Sequence, residues 1–228
     1  MKNLLLASAI AISSIAGFAG SATAAPITFN FFAPGDSSVA NLGSSATYTQ
    51  PGVSISAFSG SYNTSSPVGV TLAGSLIANN RGLEEQGLGV CLDSNSSTSR
   101  SSKCGDTEID AKAHELVQLD ISDLLTKGYS LFSVNADSVT DGESLSVYGS
   151  NSRGLLGALL ATITDGGANV PIRPAGDYLN FISSTQKGGG NVLLHSLSAD
   201  KVAVPEPASL ALIGAGLIGM GAARRRRS

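Results

Sequence analysis

The sequence predicts an all-β body folded as an antiparallel β-sandwich of jelly-roll type, and three observations point there. Apolar residues recur at every second position rather than every 3.6, the period of a strand with one buried face. Clusters rich in Gly, Asp, Asn and Pro, such as Ala33-Pro-Gly-Asp36, Asp165-Gly-Gly167 and Lys187-Gly-Gly-Gly190, cut the alternation into short runs. Only Ser122 to Lys127 reads as a helical turn, with Ser122 as N-cap and Gly128 as its stop. Many short half-buried strands separated by turns are the pattern of two packed antiparallel sheets.

Along the chain, residues 1–24 read as a signal peptide. Lys2 precedes an apolar run from Leu4 to Ala19, and Ala22-Thr23-Ala24 offers the small residues that signal peptidase needs. Cleavage is placed after Ala24, since a cut after Ala25 would put Pro26 at the new terminus. The body then spans 25–200. Ile27, Phe29 and Phe31 alternate with polar residues, as do Val53, Ile55 and Ala57, and further on Val117, Leu119 and Ile121. Phe132, Val134 and Ala136 continue the pattern, followed by Leu145 and Val147, then Tyr178 to Ser183 and Asn191 to Ala199. Asp141-Gly142 is expected to turn a hairpin between Phe132–Ala136 and Leu145–Tyr148. A chain of this length supports one core and one domain.

Charge narrows the partners. Residues 25–207 hold 9 Lys plus Arg against 17 Asp plus Glu, a net charge of −8. An acidic body does not offer the basic face that nucleic acid requires, so nucleic acid is not an expected partner. Cys91 and Cys104 form an even pair, which in an oxidising compartment points to a disulfide closing the polar loop between them. Asp106, Glu108 and Asp110 stand at i, i+2 and i+4; on an extended segment their carboxylates share a face, about 6–7 Å between neighbours. Calcium is the cation such an oxygen cluster would take, with a solvated loop end as the alternative. Asp137, Asp141 and Glu143 make a second acidic grouping, for which the turn reading is preferred.

The carboxyl end reads Val204-Pro205-Glu206-Pro207, then Ala208 to Ala223 without a charge, then Arg224, Arg225, Arg226 and Arg227. Gly214-Ala-Gly216-Leu-Ile-Gly219 spells the dinucleotide fingerprint, but only nine residues follow, so neither the second strand nor the ribose-binding acid can exist. The stretch 208–223 is instead expected to be a short transmembrane helix, held at the cytoplasmic side by the arginine cluster. Two prolines keep the segment before it extended, a form that a protease or transpeptidase can grip. The order of motif, apolar span, arginine cluster and chain end resembles the PEP-CTERM sorting tail of Gram-negative bacteria that export proteins alongside an exopolysaccharide. The resemblance covers 201–228 and implies recognition by the membrane enzyme exosortase. It also implies a transient inner-membrane anchor and a final position at the cell surface or outside the cell.

The segments "RGLEEQGLGVC", "DTEIDAKAHELVQLDIS" and "DSVTDGESLSVYGSNSRG" also look like the exported bodies common among PEP-CTERM proteins, which implies a galactose-binding-like or jelly-roll sandwich and no activity. Catalytic signals are thin. His114 and His195 stand near no G-x-S-x-G serine, so a serine triad has no visible nucleophile. Trp is absent, which leaves Tyr48, Tyr62, Tyr129, Tyr148 and Tyr178 as the aromatic surfaces a sugar could stack on. The leading expectation is a non-catalytic structural or adhesive matrix protein without a resident cofactor. A carbohydrate-binding module is the alternative, and a secreted hydrolase is third.

Overall fold

The computed structural model describes residues 25–33, 38–63, 69–82, 85–92, 107–140, 142–164, 169–185, 190–202, 214, 216 and 217. Residues Ala24–Val202 make one compact unit. The other unit, 1–23 with 203–228, contains the described residues Gly214, Gly216 and Leu217, whose backbone is helical. The signal peptide, the sorting motif and the arginine cluster lie outside the described residues, as does the rest of the expected span 208–223. No helix among the described residues is long and apolar enough to cross a membrane.

Branched and aromatic residues at alternate positions favour strands because a pleated ribbon then buries them together. In chain order these are β1 (Ile27–Asn30), β2 (Ser38–Gly43), β3 (Ser45–Gln50), β4 (Val53–Tyr62), β5 (Val70–Thr71), β6 (Ser75–Asn80), β7 (Gln86–Cys91) and β8 (Ile109–Asp110). Then come β9 (Glu115–Asp120), helix α1 (Ser122–Thr126), β10 (Tyr129–Asp137), β11 (Glu143–Ser150), β12 (Ala158–Ile163), β13 (Val170–Ile172), β14 (Tyr178–Thr185) and β15 (Asn191–Lys201). The first sheet runs β13-β10-β15-β7-β6-β2, with β1 and β8 also on β15; the second runs β12-β11-β14-β9-β4-β3, with β5 on β4. The strand pairs that build both sheets are antiparallel. From β9 onward the chain changes sheet at almost every step, setting β7-β15-β10-β13 in one layer and β9-β14-β11-β12 in the other. The alternating apolar residues meet between the layers. Phe29, Phe132 and Leu197 of the first sheet share one buried cluster with Ile55, Val117, Leu119 and Phe181 of the second.

Two local expectations need correction. The hairpin at Asp141-Gly142 does not form, because β10 and β11 belong to different sheets. A tight turn is present nonetheless: Glu143 N–H donates to Thr140 O at 2.9 Å, and Gly142 takes φ +84°, which suits a residue without Cβ. Both strands carry apolar residues at alternate positions and bury them in the same core cluster. A turn signal fixes a reversal of the chain, and leaves open whether the flanking strands pair or stack. Asp141 itself lies outside the described residues. At α1 the cap residue is Ile121, and it supplies no side-chain bond. Asp120 Oδ1 instead takes the N–H of Ser122 at 3.0 Å and its hydroxyl at 2.6 Å. The charged acceptor two residues earlier displaces the serine from capping, since charge-assisted bonds are the stronger ones. Gly128, at φ +85°, follows the helix.

Part of the polar side of the second sheet is covered. Gln118 and Asn180, on strands read as half-buried, are fully buried. The connection between β11 and β12, residues 151–157, folds back over them as a strap. Gly157 permits the fold-back: it has φ +82°, and a Cβ there would meet Gly149 O at 1.9 Å.

Candidate functional site

The second histidine belongs to a half-buried polar group of the first sheet. β15 pairs with β10 along most of its length, but the register slips between Asn135 and Ala136, so His195 is the extra residue of a bulge. On its other edge β15 pairs with β8, then β7 at Leu194, then β1 from Ser196 onward. His195 therefore sits where one neighbouring strand gives way to the next, and a bulge re-aims a side chain at such a point. Its Nδ1 lies 2.8 Å from Asp137 Oδ2 and 3.2 Å from Gln86 O. Asp137 Oδ2 also accepts the Gln86 N–H at 3.2 Å. The Phe32 ring is tilted against the imidazole at 5.6 Å. The hydrogen bond to the Asp137 carboxylate holds the His195 pKa above its ordinary value, partial burial pulling the other way. These partners are a carboxylate, a carbonyl and an aromatic ring, and none is a serine, threonine or cysteine. As a unit they clasp β7, β10 and β15 together.

The acidic groupings are distributed differently. Asp106 lies outside the described residues. Asp110 Oδ1 accepts the Lys112 N–H at 2.7 Å, the bond of a local turn, while its own N–H donates to Glu115 Oε2 at 3.0 Å. Glu143 is committed to backbone: Oε1 accepts the N–H groups of Gly190 and Asn191 at 3.1 and 3.2 Å, and Oε2 that of Thr140 at 3.3 Å. Among the described residues no group of three or more His, Cys, Asp or Glu could hold a metal ion. Cys91 closes β7 and is buried; Cys104 lies outside the described residues.

The five tyrosines do not make a single platform. Tyr48 packs edge-on against Phe31 at 4.9 Å, and burial pushes its hydroxyl well above the usual pKa. Tyr129 is buried beneath the Lys201 ammonium, 4.8 Å from the ring centre. Tyr62 and Tyr148 pack on Leu116, Leu156 and Ile182, a small cluster on the outer side of the second sheet. His114, exposed and at φ +56°, meets the Tyr62 ring edge-on at 5.3 Å. Tyr178 stands apart, directly opposite Asp120 on β9.

The strap is pinned by side chains that alternation alone marks as solvated. Gln118 Nε2 donates to Asn180 Oδ1 at 2.7 Å, and Asn180 Nδ2 donates to the carbonyls of Leu155 and Leu156 at 3.0 and 2.8 Å. Gly154 N–H reaches Gln118 Oε1 at 3.2 Å, and Gly154 O accepts from Val70 N at 3.0 Å. Arg153, at the crest, lies 4.0 Å over the Phe58 ring. No local signal distinguishes Gln118 and Asn180 from surface amides; a bulky Leu155-Leu156 pair within a turn is the one hint that the loop has something to cover.

The family model described as the PEP-CTERM protein-sorting motif matches residues 203–227. No curated protein matches the chain, and no solved structure does. The motif marks an exported protein addressed to exosortase and the cell surface.

Proposed function

We propose that this chain, which carries a PEP-CTERM protein-sorting motif, is a non-catalytic structural or adhesive component of the matrix outside the cell, delivered there with an exopolysaccharide. The observation that carries the reading is position. The motif occupies 203–227 and begins directly after Val202, where the compact body ends. The leader 1–24 takes the chain across the inner membrane and signal peptidase removes it. The apolar stretch 208–223 then holds the chain in that membrane, with Arg224 to Arg227 on the cytoplasmic side, until exosortase cuts near Pro205-Glu206-Pro207.

The body is read as a jelly roll. An eight-strand arrangement of β7-β15-β10-β13 facing β9-β14-β11-β12 is what two interlocked Greek keys produce, and β6, β2, β4 and β3 extend the two layers. A disulfide between Cys91 and Cys104 suits the oxidising side of the membrane, and closing that polar loop is worth about 3 kcal/mol in the chain-entropy picture.

The sorting claim is tested with the double substitution Pro205→Ala, Glu206→Ala. Unprocessed precursor is expected to accumulate at the inner membrane. Mature protein of unchanged mass, released as before, would overturn the reading.

A further inference from the structure

We infer that the outer face of the second sheet binds an extended, uncharged polysaccharide, laid across the strands along the row Thr47, Ser56, Asp120 and Tyr178, with the strap as one wall. The inference deepens the matrix role and takes only its biological setting from it.

The row follows from the register. Thr47 pairs with Ser56, Ser56 with Asp120, Asp120 with Tyr178, and Tyr178 with Ser150. The residues flanking these positions, Ile55, Ala57, Leu119 and Leu179, are buried in the core, so the row itself faces outward. Ser150 is buried and its hydroxyl bonds Ser152 in the strap, so the open track crosses four strands and is roughly 14 Å long at about 4.8 Å spacing. The next row, Phe58, Gln118 and Asn180, is roofed by the strap. The uncovered row is therefore a ledge beside a wall, a shape suited to a single linear chain.

Its chemistry is that of sugar recognition. Hydroxyls of Thr47 and Ser56 and the Tyr178 phenol both donate to and accept from sugar hydroxyls, the Asp120 carboxylate accepts from them, and the phenol ring offers an apolar face to sugar C–H groups. Arg153 adds donors from the wall. Its guanidinium is stacked on Phe58 and makes no hydrogen bond among the described residues. Asp120 lies directly opposite Tyr178 and Asp177 precedes it in the chain; desolvation and these two carboxylates raise the Tyr178 pKa, while Arg153 lowers it. Two carboxylates against one guanidinium leave the ledge acidic, in a body of net charge −8. Like charge repels uronate, sulfate and phosphate polymers, so the ligand is neutral. The wall is also prepared in advance: the buried Gln118–Asn180 pair fixes the strap, and Gly176 lets the chain before Tyr178 lie against Ser150 and Asn151. Little ordering cost then remains for binding.

The test is titration of the full-length chain, held in mild detergent, with hexasaccharides of glucose, mannose and galactose and with hexagalacturonate as the acidic probe. At least one neutral hexasaccharide is expected to bind saturably and roughly tenfold more tightly than the acidic one. Tyr178→Ala and Arg153→Ala should each weaken that binding by about tenfold or more, whereas Lys112→Ala, on the exposed turn Ala111–His114, should not. Circular dichroism shows that each variant is folded, and Arg153→Ala, on the exposed strap, keeps the test alive if Tyr178→Ala does not fold. Absence of neutral binding, tighter binding of hexagalacturonate, or wild-type affinity in the folded variants would overturn the inference. Sorting is read separately by localisation, so a chain that binds glycan but is not processed would refute the export route and leave the ledge intact.

Discussion

His195 Nδ1 faces two acceptors, the Asp137 carboxylate and the Gln86 carbonyl, so this nitrogen carries the hydrogen and Nε2 takes the second proton when the ring charges. The folded pKa is raised, first by the bond to Asp137. A raised folded pKa means that the charged ring stabilises the native state fully below the unfolded value of about 6.5, and that this contribution fades as pH rises through the folded value. His195→Gln is therefore expected to lower Tm more near pH ~5.5 than near pH ~8.5, on either side of that range. An equal loss at both would show that the ring acts only through shape. The pairing was not legible beforehand, because Asp137 and His195 lie 58 residues apart and meet only through the bulge in β15. Asp110 shows the converse. Its alternation with Glu108 is plain in the sequence, yet the carboxylate closes a local turn at Lys112.

For the elements, alternation is a sound guide where one face is apolar and the other open. It found β1, β4, β9, β10, β11, β14 and β15 from their core-facing residues. It missed β6 and β7, in which five of six residues are buried and small or polar side chains fill both faces. It carries no sign that 151–157 folds back over the second sheet. The strap depends on Asn180, whose amide reaches two carbonyls and accepts from Gln118. Asn180→Ala strands these buried groups, and the cost should be about 2–3 kcal/mol in denaturant unfolding. Released from its pin, the strap should also yield faster trypsin cleavage after Arg153. Wild-type cleavage in a destabilised variant would mean that the strap is held by Leu156 packing rather than by the amides.

For the whole molecule, the legible and illegible parts divide by distance along the chain. The tail could be read because Pro205, Glu206, Pro207, the apolar run and the arginines are contiguous, and their order alone carries the signal. The sandwich class could be read because it is the sum of local alternations. The strand order could not, since partners such as β4 and β9, or β7 and β15, are brought together only by the crossing of sheets. The ledge inherits that difficulty, its four residues coming from four strands. The account as a whole rests on export followed by trimming at both ends. Intact-mass analysis of the protein recovered outside the cell tests this most directly. The expected species begins at Ala25, ends near Pro207 and is two hydrogens lighter than the reduced chain; a full-length chain of 228 residues with free thiols, recovered from the cell interior, would contradict it.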